Sequence, residues 1–252
     1  MSGHSKWSTI KRKKGAADAK RSKMFSKIVK EISIAVKEGG PDPEANPRLR
    51  LAINNAKGVN MPKDNVERAI SKADKEGDNF EEITFEGYAP NGIAVYVDCL
   101  SDNKNRTVSS VRAIFTKYGG SLGKNGSLSF LFETKGIFTI LINDTINLDD
   151  FELEVIDAGA EDIEIEDDII TITTAKEDFG NVQKKLDELD VDIENAGLQR
   201  IPNDTKALDV DAALRIMKMI DAFEDDDDVQ NVYHNMELTD ELQKALTEQE
   251  YS

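Results

Sequence analysis

The spacing of apolar residues changes once along this chain, and that change limits what it can fold into. Up to Ala73 they recur at helical spacing; from Ile83 onward runs that alternate at every second position take turns with helical ones. In MFSKIVKEISIAVKEGG, residues Phe25, Ile28, Val29, Ile32 and Val36 fall on one face, and Gly39, Gly40 and Pro41 end the segment. Asn46 and Pro47 form a helix start, Leu49, Ala52, Ile53 and Ala56 make its stripe, and Gly58 closes it. Val66, Ala69, Ile70 and Ala73 repeat the spacing before the polar linker DKEGDN. Three short amphipathic helices are expected to bury their stripes against one another, giving a helical domain over residues 1–78.

Beyond the linker, Ile83 and Phe85 alternate with polar residues, GYAPNG makes a turn, and GIAVYVDCL is a covered strand. Val108, Val111, Phe115 and Tyr118 stripe a helix that ends at Gly119 and Gly120, and SLSFLF reads as another strand with Leu128, Phe130 and Phe132 on one side. Residues 135–204 then give strand GIFTILI, helix LDDFELEVIDAGA, strands EDIEIED and IITITTA, helix DFGNVQKKLDELD and strand DIENAGLQRIP. That order is the ferredoxin-like βαββαβ. The helix AALRIMKMIDAF and the strand DVQNVYHN are expected to complete the interrupted domain before it, and LTDELQKALTEQEYS reads as a short helix or a tail. The expected class is α+β with three domains. The helical domain comes first, residues 79–134 with 205–238 form a discontinuous α/β domain, residues 135–204 are inserted in it, and 239–252 are the tail.

Charge divides along the same line. The chain of 252 residues has a net charge of -17, yet residues 1–75 hold 18 Lys and Arg against 8 Asp and Glu, a net of +10, leaving -27 on residues 76–252. Ten of the cations lie in the first thirty residues, interleaved with His4 and Trp7 in a stretch too polar to form a core. A segregated basic segment is the footprint of a polyanion partner, and an acidic body confines contact to one end. No apolar run reaches the about 18 to 20 residues of a membrane span, the start lacks the apolar stretch of an export signal, and Cys99 is the only cysteine. The expectation is a soluble cytoplasmic protein without membrane contact.

Catalytic constellations fare poorly. In YGGSLGKNGS, Gly119 and Gly123 are separated by three residues where a phosphate-binding loop needs four, and Asn125 stands where Ser or Thr would hold magnesium. The run EDDDD at 224–228 is contiguous and lacks converging ligands elsewhere, so it reads as a structural or solvated loop. Cys99 lies in a covered strand with no His in reach by sequence, and neither it nor His4 and His234 shows zinc-ligand spacing. The chain is therefore expected to be non-enzymatic, with no cofactor and no metal.

Several blocks in one order, GHSKW, DAKR, DPEANPRLR, EGY, CLSDNKNRTVSSVR, AGAED and DDVQNVYHN, resemble the YebC/PmpR family nearly end to end. The resemblance implies three domains, a helical bundle followed by two α/β domains with one inserted in the other. It also implies a non-enzymatic regulator of gene expression. Members are usually described as DNA-binding transcriptional regulators, but the family includes a mitochondrial translational activator of cytochrome c oxidase subunit 1, and bacterial members are implicated in translation on the ribosome.

Site residues follow from charge and from these blocks. Lys11, Arg12, Lys13 and Lys14 are expected to neutralise phosphates, with Lys6 before them and Lys20, Arg21 and Lys23 extending the track along the first helix. Trp7 is expected to stack on a base, the other reading being a staple against the helical bundle, and the family block supports a polar contact from His4. Arg48 and Arg50 either continue the basic surface or are its solvated outside, and Asn103, Asn105 and Arg106 either bind nucleic acid or cap a helix. Duplex readers place a recognition helix in the major groove, and no helix-turn-helix with such a face is legible. A cationic arm with an aromatic suits folded or single-stranded RNA, and ribosomal RNA is favoured over DNA; a protein-binding adaptor is the third reading. The oligomeric state is open.

Overall fold

A computed structural model describes residues 18–77, 79–142 and 146–250, with side chains from Arg21 to Thr247. It comprises mixed α and β structure in two compact units. Of the described residues, those up to Lys30, those at 79–133 and those from Ile201 onward form the first, and those at 31–77 and 134–200 the second.

Three helices open the described chain: α1 (Asp18–Gly39), α2 (Pro47–Gly58) and α3 (Lys63–Glu76). Asn46 joins the first two. Its Oδ1 accepts the Leu49 N–H at 3.0 Å to cap α2, while its Nδ2 donates to the carbonyls of Ala35 at 2.7 Å and Gly40 at 2.8 Å. One buried amide thus serves the end of α1 and the start of α2.

In the second unit β4 (Phe132–Leu141), α5 (Leu148–Asp157), β5 (Ala160–Glu166), β6 (Ile169–Ala175), α6 (Phe179–Glu188) and β7 (Ile193–Pro202) follow the expected order. The strands lie β5-β6-β4-β7, the spatial order of the split motif. Phe138, Ile140, Ile170 and Ile172 from the central strands meet Phe151 and Val155 of α5 and Val182 and Leu186 of α6. The helical segment also meets this sheet. Leu51 of α2 joins this core, and Asn55 behaves as a one-residue strand partner, donating to the Ala196 carbonyl at 2.9 Å and accepting the Ala196 N–H at 2.8 Å.

The first unit holds the antiparallel sheet β3-β1-β2-β8, from β1 (Glu81–Ala89), β2 (Ile93–Ser101), β3 (Ser121–Leu122) and β8 (Val229–His234). The β8 ladder on β2 closes the domain interrupted in sequence. Alternation along β2 supplies two cores. Val95, Val97 and Cys99 pack against α4 (Lys104–Lys117), α7 (Val210–Glu224) and α8 (Asp240–Glu250), while Ala94 and Tyr96 meet Leu128, Phe132 and Tyr233 on the other face. The stretch read as a helix or a tail is thus a helix, with Leu242 and Leu246 buried in the core.

SLSFLF is not a strand. Residues 125–131 form a turn, Leu128 is fully buried, Phe130 is 69% exposed, and β4 begins at Phe132. The buried carboxylate of Glu86 accepts the N–H groups of Gly126 at 2.6 Å and Leu128 at 2.7 Å, so the backbone wraps a side chain instead of a ladder. Alternation in sequence cannot reveal a carboxylate forty residues away.

Candidate nucleic-acid interface

His4, Lys6, Trp7, Lys11, Arg12, Lys13 and Lys14 lie outside the described residues, as does the side chain of Lys20, whose backbone is in the first turn of α1. The described part of the cationic track begins at Arg21, whose guanidinium stands 5.6 Å from the Phe25 ring centroid. Lys23, Lys27 and Lys30 follow at helical spacing, and all three reach the segment 225–230. Lys23 Nζ pairs with Asp225 Oδ1 at 2.7 Å, Lys27 Nζ donates to the Gln230 carbonyl at 3.4 Å, and Lys30 Nζ meets Asp228 Oδ1 at 3.0 Å and the Asp227 carbonyl at 2.7 Å. The start of the basic helix is therefore clamped to the acidic run.

Asp228 is the centre of that clamp. It is 5% exposed and accepts from Lys30, from Arg106 Nε at 3.1 Å and Nη2 at 2.8 Å, and from the hydroxyls of Ser101 at 3.1 Å and Thr107 at 3.0 Å. Burial pushes its carboxyl up, but hydrogen bonds from Arg106, Lys30 and Thr107 outweigh that and hold it below the usual carboxylate range. Asp226 accepts from Ser110 Oγ and from the Asp228 N–H. These carboxylates are spent on the fold.

The other candidates divide. Asn103 caps α4, its Oδ1 accepting the Arg106 N–H at 3.1 Å, and Arg106 also bonds Asp102 at 2.8 Å. Asn105 is exposed on the same helix. Arg48 pairs with Glu38 at 2.8 Å and Glu31 at 3.3 Å, and Arg50 donates to the Pro43 and Glu44 carbonyls, all within the second unit. Lys23 and Arg106 thus share the acidic segment of the first unit, whereas Arg48 and Arg50 hold a loop of the second. Cys99 is buried, and burial, followed by the charges of Asp226, Asp98 and Asp228, drives its thiol far above the ordinary range.

Two domain models together cover this chain: one described as the TACO1/YebC protein N-terminal domain matches residues 5–76, and one described as the TACO1/YebC second and third domain matches residues 80–236. The chain belongs to the TACO1/YebC family. Relatives named probable transcriptional regulatory proteins include one from Amoebophilus asiaticus, 52% identical, and one from Clostridium botulinum, 50% identical, each match covering 94% of this chain and 98% of the relative. The crystal structure of a conserved hypothetical protein from Aquifex aeolicus is similar at a TM-score of 0.78 and 44% identity, covering 87% of this chain and 91% of that one. The two matched regions of this TACO1/YebC chain meet where α3 ends at Glu76. Among the described residues no helix is long and apolar enough to cross a membrane.

Sequence reading missed Lys27, Lys30, Ser101, Thr107 and Asp228 as one cluster. The signal was available in part: the cations sit at i, i+4 and i+7 from Lys23, and Asp228 lies inside the TACO1/YebC block DDVQNVYHN. That block also carries His234, which is 3% exposed in β8. Burial pushes its imidazole down to about 4, against opposing effects of Glu224 and a backbone hydrogen bond at Met236. A depressed histidine stabilises the fold fully above its unfolded value of about 6.5 and loses that contribution as pH falls toward 4, about 3 kcal/mol in all. Urea melts between pH 7 and pH 4 are expected to show this loss, and a His234→Leu variant a flatter profile; parallel profiles would remove His234 as the cause.

Proposed function

We propose that this chain is a non-enzymatic regulator of gene expression that binds nucleic acid through its basic N-terminal arm. The observation that carries this reading is the charge division, +10 on residues 1–75 against -27 on the remainder. Cations in the arm neutralise phosphates, and the acidic body is repelled from the same polyanion, so contact is confined to one end. Trp7, His4 and Lys6 supply stacking and polar contacts beside Lys11, Arg12, Lys13 and Lys14, and Lys20, Arg21 and Lys23 extend the track. The Lys23 pair with Asp225 is largely solvent-facing, so a phosphate can replace that carboxylate at little cost.

Folded RNA, in particular ribosomal RNA with control of translation as the outcome, is the preferred target, because a cationic arm with an aromatic matches irregular single-stranded elements better than a duplex groove. Duplex DNA and transcriptional control is the second reading, favoured by relatives named probable transcriptional regulatory proteins. Crosslinking in cells with sequencing of both bound RNA and bound DNA separates them: enrichment of ribosomal RNA supports the first, and discrete promoter peaks support the second and sink the first. If about six arm cations meet phosphates, log K plotted against log salt is expected to have a slope of about -4 on single strands and about -5 on duplex. Replacing Lys11, Arg12, Lys13 and Lys14 by Ala should flatten it; a slope near zero in the parent chain would exclude an electrostatic arm.

A further inference from the structure

Residues 103–132 contain five Lys and Arg and not one Asp or Glu, in a body where residues 76–252 carry 41 acids in 177 positions. The window begins with α4. Asn105, Ser109, Arg112 and Thr116 form its outward stripe, Lys104 and Lys117 flank it, and all six are exposed. Thr107, Val111 and Phe115 face the core. Among the described residues the cations Lys23, Lys30, Arg48, Arg106, Lys135 and Lys185 pair with carboxylates, whereas Lys104, Arg112 and Lys117 form no ion pair. On a strongly acidic protein, cations that face solvent without an acid beside them are an anion-directed surface.

Neighbouring elements widen and bound the patch. α7 packs beside α4 through the Phe115 and Phe223 rings, 4.9 Å apart, and exposes Arg215 and Lys218, also without ion pairs among the described residues. Asp211 near the start of α7 and Asp240 and Glu241 on α8 limit it on that side, while Asp102 and Asp226 are taken by Arg106 and Ser110. At the first turn of α4 the patch reaches α1, because Asp228 binds Arg106 of α4 and Lys30 of α1 at once. α1 is the helix into which the cationic arm leads.

We propose that the solvent face of α4, with Arg215 and Lys218 of α7, is a second phosphate-backbone track for folded RNA, engaged together with the arm. This rests on the nucleic-acid reading above and adds a site to it. Charge complementarity selects the occupant: the face offers cations and hydroxyl residues, and none of the exposed large hydrophobic residues lies on α4 or α7, so a protein partner would find no apolar anchor. Lys104 and Arg112 stand about 12 Å apart along the helix, a reach suited to successive backbone contacts and not to reading one base. Two tethered contact surfaces bind one RNA far more tightly than either alone.

The test uses the full chain, a labelled RNA hairpin with single-stranded flanks, and a labelled DNA duplex, each titrated over a range of salt. Replacing Lys104, Arg112 and Lys117 by Gln is expected to make the RNA slope shallower by about 2 and to lower affinity about a hundredfold near 0.1 M salt, while exchanging Arg for Lys and Lys for Arg at these positions keeps both. An unaltered thermal midpoint shows that the fold is intact; were the triple variant unfolded, Arg112→Gln alone, with a slope change of about 0.7, decides. Unchanged RNA affinity and slope in the Gln variant, with the arm variant weakened, overturns this proposal and leaves the arm reading standing. A parent chain that binds neither probe overturns both, and a loss confined to duplex DNA overturns RNA as the occupant.

Discussion

Gly58→Val is expected to unseat α2 from the ferredoxin-like sheet and to cost about 4 kcal/mol or more, among the largest losses a single substitution can produce. A Cβ at residue 58 would lie 1.7 Å from the Glu194 carbonyl oxygen and 2.6 Å from its carbon. The obstacle is strand backbone, not a side chain that could rotate away. Relief requires α2 to withdraw from β7, which breaks both hydrogen bonds between Asn55 and Ala196 and lifts Leu51 out of the core. Ordinary overpacking costs about 1 to 3 kcal/mol because neighbours shift, and here they cannot. Hydrogen exchange should show lost protection along β7; a variant that melts with the parent chain and keeps that protection would show that the close approach is absent in solution.

Asp228→Ala is expected to cost about 3 to 5 kcal/mol, since it removes the shared acceptor and leaves the partly buried ammonium of Lys30 and the buried hydroxyls of Ser101 and Thr107 without it. Asp228→Asn keeps the shape but not the charge, so its loss should be smaller. Acid provides an independent check. The native carboxyl titrates below its ordinary value, so its contribution is present above the unfolded value of about 3.9 and is lost as pH falls through the lower native one. Denaturant melts of the parent chain should therefore steepen below about pH 4, after the His234 window, and the Asp228→Asn profile should lack that step. Equal stabilities of the parent chain and Asp228→Ala at neutral pH would reduce the cluster to a surface ornament.

The same carboxylate ties the fold to the proposed function. Lys30 and Arg106 meet on it from the arm-bearing helix and from α4, so Asp228 sets the place from which both proposed tracks leave the first unit. Asp228→Ala is expected to weaken RNA binding only as far as it loosens α1, because the phosphate-binding cations themselves are untouched.

What the residues determine alone is whatever depends on neighbours in sequence. Helical spacing in α2 and α3, the Asn46 and Pro47 start, and the order of elements in the ferredoxin-like unit are local or periodic, and each is present in the structure. The charge division is additive, so it too is legible without coordinates, as is the family through its blocks. Where a distant partner enters, the pattern misleads. SLSFLF alternates like a strand but turns around Glu86, and Val29, on the apolar stripe of α1, is 37% exposed. Asp228 sits in an acidic run that reads as a structural or solvated loop, and only the arrival of Lys30 and Arg106, 198 and 122 positions away, decides that it is buried and structural. Only tertiary structure decides such cases, since burying a charge is tolerable when its partners converge and ruinous when they do not. Gly58 shows the same limit: its sequence signal is a helix end, and the reason no other residue fits is a carbonyl brought against it by the packing of β7.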